Sequence, residues 1–407
     1  MNSPDDAWRP ELLYLLARAT GGALERPPVA LDDAGWRAVI QAAAAHRLIP
    51  LLHEGIRGLD GVPAAVLRVL HRGHLKCAAL NTGIAHQLAQ VAQGLDGAAV
   101  DFVLIKGLYL SAEIYGTLAS RPTSDVDILV HREDMERADR CLAELGYALS
   151  GGRAWQEAHH FHAVYRHPSF KTCLELHWHV SPPDSPFKID VADLWAGARR
   201  VTIGGRAVRV LSPEHTLIHL AIHGAYQHAY QEGLRVLCDV AMCVKRYEDE
   251  MDWAAVAAVA RSWRAEKCTA LTLSLAGALL GTPLAQTDLD GLCPRSAYEE
   301  QIAVAEQIVF QEKAVSRKVA AFWNAKGLRA RLRILAQHVF LPRDVLAMLY
   351  EAPREGVVIF LYYPVLWKDL LMRHGGKILG VARGDAASRA AMDGAQRRND
   401  LLGWFRS

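Results

Sequence analysis

The apolar and polar positions of one stretch predict two strands joined by a turn and a helix. Residues 102–105 are four consecutive apolar residues, which is typical of a buried strand. A Lys-Gly pair at 106–107 follows at once, and apolar residues recur at helical spacing over 108–118. The polar segment 121–124 ends this helix, and residues 125–130 then alternate in the way a second strand requires.

The same patterns extend the αβ region toward residue 212. A helix is predicted over Glu133–Gly146, because its apolar residues form one stripe and a glycine ends it. A short strand at 147–149 follows, and His160–Tyr165 and Thr172–Val180 pair as a hairpin. A second hairpin is predicted over Arg199–Leu211, within a segment that links this region to the next.

Helical spacing dominates the rest of the chain, so the fold class predicted is α+β. Four regions are expected: a helical region at 1–98, the αβ core at 99–212, a helical domain at 213–290 and a C-terminal helical region at 291–407. The last twenty residues are polar and alanine-rich, and they are expected to form a mobile tail that ends in an apolar plug.

Two aspartates are the first candidates for a metal-binding role. Asp125 and Asp127 are two positions apart on a predicted strand, so both side chains leave the same face. Two adjacent carboxylates repel each other and need a cation to stay together. That cation is most simply Mg²⁺, which takes oxygen ligands and usually brings substrate phosphates with it. The alternative interpretation is a chance alternation of aspartates on an edge strand.

A third carboxylate lies on the strand predicted at 172–180. Glu175, His177 and His179 alternate there, which places them on one face. A glutamate beside the two aspartates would complete the three-carboxylate cluster that two-metal nucleotidyl transfer uses. This glutamate would bind metal or accept the proton of the attacking hydroxyl. The alternative is a half-exposed strand whose polar residues face water.

Five motifs together resemble a known family. The chain carries Lys106-Gly107, Arg121, Asp125-Val126-Asp127, Glu175 to Trp178 and the helix Pro213 to His223 in that order. In this order they resemble the bacterial family labelled uncharacterised nucleotidyltransferase, within the polymerase-β-like nucleotidyltransferase superfamily. The resemblance covers roughly the whole chain by order of features, and the combination is specific where each motif alone is weak.

The resemblance implies a polymerase-β-like core, a small mixed sheet with helices, flanked by N-terminal and C-terminal helical domains. It implies an enzyme that moves a nucleoside monophosphate from an NTP to a hydroxyl or phosphate of a small molecule, sugar or peptide. The implied catalytic and metal-binding residues, which would hold two Mg²⁺ ions, are Asp125, Asp127 and Glu175. The implied nucleotide-binding residues are Lys106, Gly107, Arg121 and His177.

Two other functions remain open. The superfamily usually has a small hydroxyl residue after the glycine of the turn, whereas Leu108 follows Gly107 here. A nucleotide-sugar also presents a diphosphate to Mg²⁺, so the same cluster would support glycosyl transfer. The third possibility is a non-catalytic binding module, against which the three intact carboxylates argue.

Composition limits which partners the protein is expected to bind and in which compartment it is expected to function. Lysine plus arginine total 46 and aspartate plus glutamate total 44, and without a long basic run a large nucleic-acid footprint is not expected. Seven cysteines without a Cys-x-x-Cys pair suit reduced thiols in the cytoplasm. The first ten residues lack the apolar core of a signal peptide. The apolar run 356–367 is shorter than the roughly 20 residues of a membrane span. A position on a membrane surface is one interpretation of it, but a buried helix or strand is expected.

Several polar residues have simpler interpretations. His215, His219 and His223 recur every four residues on one helix face, but they lack the glutamate of the metalloprotease pattern, and a zinc site is not expected. Arg235 and Asp239 are also four apart, and an ion pair between them is expected. Asn81 and the His46-Arg47 pair have two interpretations: they face the cleft, or they are solvated, which is more common for polar residues on a helix.

Overall fold

The computed structural model describes residues 8–25, 31–151, 156–157, 160–311 and 386–407, with scattered positions between 327 and 372. The protein is a mixed α+β structure built on one seven-stranded sheet. Its strands are β1 (Phe102–Leu104), β2 (Asp125–Val130), β3 (Ala148–Leu149), β4 (His162–Arg166), β5 (Cys173–His177), β6 (Arg199–Ile203) and β7 (Arg206–Val210).

Helices make up most of the remaining described residues. They are α1 (Trp8–Thr20), α2 (Asp33–Ala45), α3 (Ile49–Gly55), α4 (Ala64–Gly97), α5 (Met135–Glu144), α6 (Val191–Ala196), α7 (Pro213–Ile222), α8 (Leu234–Arg246), α9 (Trp253–Trp263), α10 (Glu266–Leu280), α11 (Gln286–Leu292), α12 (Glu299–Phe310) and α13 (Ala386–Arg406). The side chains of Asp32, Ser212 and Asp252 cap α2, α7 and α9, as these residue types favour. Among the described residues, no helix combines the length and apolarity needed to cross a bilayer.

The strand order is β3-β4-β5-β2-β1-β7-β6, and the sheet is mixed. Strands β2 and β5 run parallel, as do β1 and β7, while the other neighbours are antiparallel. The hairpin predicted over 199–211 is confirmed, but it belongs to the main sheet, because β7 pairs with β1. Strand β2 therefore lies at the centre of the sheet, between β1, which precedes it in the sequence, and β5, which follows it three strands later.

One hydrophobic cluster joins the sheet to the helices on either side of it in sequence. It runs from Leu12 in α1 to Phe405 in α13, and it includes the buried face of β2 at Val126 and Ile128. A separate small cluster gathers Ile359 and other residues between 346 and 366. Because this core is continuous, it does not show where one region ends and the next begins. The division into four regions therefore stays a prediction.

The helix expected over 108–118 is wrong in extent. The segment makes a single π turn at Leu110–Ile114 and then continues as bends and turns. The reason is Asn81 of α4, which is fully buried, although a solvated position is more common for such a residue. Its amide nitrogen donates to the carbonyls of Leu118 and Arg121 at 2.8 and 2.7 Å, while its side-chain oxygen accepts from the Thr123 amide at 3.1 Å. The chain wraps around this amide and cannot continue as a helix.

The mobile tail expected at the C-terminus is also wrong. Residues 386–406 form α13, which packs against α12, and Leu401 and Phe405 are buried in the main cluster. The expectation of a buried helix or strand at 356–367 holds for only one face. Ile359 is fully buried, whereas Leu361 is 70% exposed, because this part of the chain is amphipathic.

Candidate active site

Three carboxylates meet where β2 lies beside β5. The pairing register places Asp127 directly opposite Glu175, and Asp125 leaves the same face of β2. One carboxylate oxygen from each of Asp125, Asp127 and Glu175 lies within 4.8 Å of the others. The structure thus brings together the carboxylate cluster, Asp125, Asp127 and Glu175, that the sequence predicted.

Two cationic or ionisable side chains neutralise Asp127. Lys106 Nζ lies 3.0 Å from Asp127 Oδ1, and His177 Nε2 lies 3.2 Å from the same oxygen. Burial alone would raise the pKa of Asp127, but the Lys106 ammonium and the hydrogen bond from His177 hold that pKa below its usual value. Burial likewise disfavours charge on Lys106 and His177, yet Asp127 raises the pKa of both.

The other oxygen of Asp127 and the carboxyl of Asp125 are less well compensated, because burial and Asp127 outweigh the effect of Lys106 on Asp125. Asp127 is fully buried, and its Oδ2 has no hydrogen-bond partner among the described residues. Burial and the neighbouring Asp127 carboxylate raise the pKa of Asp125 to about 6. An unpaired buried oxygen and two like charges are both relieved by a cation with oxygen ligands. The residues present therefore fit a divalent metal ion.

The histidines around the cluster differ in their roles. His177 Nε2 lies 3.4 Å from Glu175 Oε2, and His162 Nε2 lies 3.8 Å from the same oxygen. Burial and the neighbouring His177 lower the pKa of His162 to about 4, so its imidazole is neutral at pH 7. His179 was expected on the same face, but β5 ends at His177, and the His179 ring instead contacts the carbonyls of Ser181 and Ile189.

Arg121 is held in a buried ion pair. Its Nε and Nη2 donate to the two carboxylate oxygens of Asp239 at 2.7 and 2.8 Å, and Tyr115 Oη donates to Asp239 Oδ1 at 2.8 Å. The Arg235–Asp239 pair expected from the sequence is therefore wrong. Pairing of residues four apart applies to exposed helix surfaces, whereas α8 is buried and Asp239 is reached by the loop before β2.

A cavity of about 600 Å³ opens beside the carboxylate cluster. Its wall contains all of the predicted site residues except Asp127, which lies behind it. It also contains Arg47, for which a place at the cleft was one of two interpretations, and residues to which sequence reasoning gave no place at the site, namely His162, His228, Arg235, Leu402 and Arg406. Arg406 Nε donates to Tyr226 Oη at 2.9 Å, which fixes the end of α13 at the cavity. No local pattern marks Arg47 or Arg406, because they reach the cavity through tertiary packing.

The three histidines of α7 have separate surroundings. His215 stacks on Trp263 with a centroid distance of 5.2 Å. His219 is buried, and burial together with Lys106 lowers its pKa to about 3. His223 lines the cavity, where its Nε2 lies 3.2 Å from Nε2 of His228. Only His223 of this row therefore faces the space available to a ligand.

Comparisons with known proteins bear on this geometry. A family model described as uncharacterised nucleotidyltransferase matches residues 32–281, which is more than half of the chain. No protein with curated annotation is significantly similar to the chain. Among solved structures, the antibiotic-resistance factor ANT(2'')-Ia is similar at 12% identity, covering 56% of this chain and 97% of that one, with a TM-score of 0.28. A TM-score this low establishes no shared fold.

Proposed function

We propose that this chain, which belongs to the family of uncharacterised nucleotidyltransferases, moves a nucleoside monophosphate from an NTP to a hydroxyl or phosphate of a small molecule, sugar or peptide. Family membership makes it an enzyme and a nucleotidyltransferase. The observation that carries the finer proposal is the carboxylate cluster at the cavity, with Asp127 Oδ2 buried and unpaired. We further propose that the sheet around β2 is a polymerase-β-like core with helical domains on both sides.

Asp125, Asp127 and Glu175 are the residues that would hold Mg²⁺, as two ions in the proposed mechanism. Bound there, Mg²⁺ supplies charge neutralisation to phosphate oxygens and lowers the pKa of an attacking hydroxyl. The protein's own contribution is to keep Asp127 ionised and to hold the ligands in place. Lys106 and His177 hold Asp127 as a carboxylate, and the parallel pairing of β2 with β5 fixes Glu175 opposite it.

Gly107 and Lys106 have distinct proposed roles at the turn after β1. Gly107 has φ +62°, and a Cβ there would lie 3.2 Å from the carbonyl oxygen of Asp125, so only glycine fits this close approach without strain. Lys106 pairs with Asp127 and also lines the cavity, so its ammonium would be within reach of a phosphate bound there.

Arg235 is the proposed anchor for the phosphate chain, since Arg121 is already saturated by Asp239. Arg235 lines the cavity, is 7% exposed and donates through Nη2 to the Pro122 carbonyl at 3.2 Å. Its Nε has no hydrogen-bond partner among the described residues. Burial and the neighbouring Arg121 lower its pKa, and Glu232 and Asp239 offset this only in part. A phosphate would supply the missing negative charge.

Arg235→Gln is expected to weaken binding of Mg-NTP by roughly 10- to 100-fold, the scale of a lost charge-assisted hydrogen bond. Its melting temperature should stay the same or rise, because the buried charge is poorly compensated. Calorimetric titration and thermal melting measure the two effects. Arg209→Gln, which removes an arginine of β7 that pairs with Asp101 outside the cavity, is the control and should bind normally. Unchanged affinity together with a lower melting temperature would make Arg235 a purely structural residue.

The reaction itself is tested with the purified 407-residue chain. With each NTP and pooled hydroxyl and phosphate acceptors, we expect Mg²⁺-dependent release of pyrophosphate that EDTA abolishes. A second candidate is sugar transfer, which Leu108 favours: it is fully buried, so the turn offers no hydroxyl to a phosphate. Release of nucleoside diphosphate from a nucleotide-sugar, without pyrophosphate from any NTP, would replace the first proposal. Binding of either donor without turnover would indicate a non-catalytic module.

A further inference from the structure

A second group of metal-ligating side chains lies between α3 and α4, among the N-terminal helices. His53 and Glu54 lie on α3, and His74 lies on α4. Glu54 Oε1 is 3.7 Å from His53 Nδ1 and 3.4 Å from His74 Nδ1. The packing of the two helices thus directs three potential ligand atoms toward one point, all within 4.8 Å of one another.

Two of the three distances between these atoms, 3.7 and 3.4 Å, are close to those of a tetrahedral zinc site. With Zn–N and Zn–O bonds of about 2.0–2.2 Å, neighbouring ligand atoms of a tetrahedron are about 3.4 Å apart. Both Nδ1 atoms are shielded from solvent, and neither has a hydrogen-bond partner among the described residues. Both nitrogens face the Glu54 carboxylate, but neither makes a hydrogen bond with it in this geometry. Buried polar atoms need a partner, and a group lying between the three side chains would supply it.

The groups around this point favour a bound cation. Arg57 donates to Glu54 Oε2 at 3.0 Å, which fixes the carboxylate and leaves Oε1 directed at the histidines. His71 lies one helical turn before His74, with its ring 5.4 Å from the His53 ring. His71 would have to turn its ring toward the three ligand atoms to serve as the fourth ligand, and otherwise a water would take that position.

We propose that His53, Glu54 and His74 bind a zinc ion, with His71 or a water as the fourth ligand. The site is separate from the carboxylate cluster and does not depend on the proposed reaction. It has a structural consequence for that cluster, because Ser120 Oγ donates to Glu54 Oε1 at 3.5 Å. Ser120 precedes Arg121 in the loop that leads to β2. Zinc would hold α3, α4 and the start of this loop together.

The test uses the 407-residue chain after removal of metals with a chelator and in the presence of excess Mg²⁺, which is expected to fill the carboxylate cluster. We expect Zn²⁺ to bind at one equivalent and to raise the melting temperature, and Co²⁺ to give the intense visible absorption of a tetrahedral site. His74→Gln and Glu54→Gln should each lose this equivalent. His86→Gln, an exposed histidine on the same helix, should keep it.

Two results would overturn the proposal. One is a wild-type protein that binds no zinc equivalent or gives only octahedral Co²⁺ absorption, a measurement that needs no variant to fold. The other is full zinc stoichiometry in a folded His74→Gln or Glu54→Gln protein, which would place the ion elsewhere, for example at His162 and His177. The reaction assay does not enter either result, so the two proposals fail independently.

Discussion

Replacing Asp125 or Asp127 by asparagine is expected to lower nucleotidyl transfer by about 100-fold or more in each variant, since a metal ligand in such a site is worth several kcal/mol. The two variants should differ in stability, although they lie two residues apart on β2. Asp125→Asn is expected to stabilise the metal-free protein at pH 7, whereas Asp127→Asn is expected to destabilise it.

The opposite signs follow from the opposite pKa shifts. The pKa of Asp125 is raised in the folded protein to about 6 from an unfolded value of 3.8, so the folded state loses stability as the pH rises through this interval. Above pH 6 that loss is complete, and asparagine should recover about 1–2 kcal/mol. Below pH 4 the Asp125 carboxyl is protonated and therefore neutral, as asparagine always is. The stability gained by Asp125→Asn should therefore vanish there.

Asp127 contributes in the other direction. Its pKa is lowered in the folded protein because Lys106 and His177 pair with it, so its contribution is present above pH 4 and is lost as the pH falls further. Asparagine at this position leaves the buried Lys106 without its partner, which typically costs about 3–5 kcal/mol. Loss of the Lys106 proton would reduce this destabilisation, because a neutral amine needs no charged partner.

Chemical denaturation of the metal-free proteins at pH 4 and pH 7, with transfer assays at saturating Mg²⁺, measures these effects. Asp101→Asn is the control, because Asp101 is 65% exposed in its side chain and pairs with Arg209 away from the cavity. A folded Asp125→Asn enzyme with the wild-type rate would refute the metal assignment. Equal destabilisation of both variants at pH 7 would refute the electrostatic account but leave that assignment standing.

Local pattern predicted the carboxylate-bearing strands because alternation is a property of neighbouring residues. The two-residue spacing of Asp125 and Asp127 suffices to put them on one face of β2. The position of Glu175 opposite Asp127 depends on parallel pairing of β2 with β5, which local pattern does not specify. The resemblance to a family linked the motif of Glu175 to that of Asp125 and Asp127, which the periodicity of a single strand could not do.

Polar residues whose partners are distant in sequence were the ones that pattern misplaced. Asn81 has the helical context of a solvated residue, yet it organises a loop that begins some thirty residues later, at Ser111. Asp239 has Arg235 one turn away on the same helix, yet its partner is Arg121. A buried carboxylate takes the partner that offers two aligned donors, and that choice is decided by tertiary packing.

Breaking the Arg121–Asp239 pair is expected to be the most destabilising single change in the site. The side chains are 7% and 5% exposed, so removal of one partner leaves the other buried and charged. Arg121→Met or Asp239→Leu should each lower the free energy of unfolding by about 3–5 kcal/mol. This is a large part of the roughly 5–15 kcal/mol that holds a typical domain.

The double variant Arg121→Met/Asp239→Leu separates the pair's charge from its packing. We expect it to be less destabilised than either single variant, because two apolar side chains leave no unpaired charge, although Tyr115 loses the acceptor of its hydroxyl. Urea unfolding of the four proteins gives the coupling energy directly. Additive losses in the double variant would mean that the two residues act independently. In that case Asp239 would draw its compensation from Arg235, whose guanidinium is the other positive charge beside it.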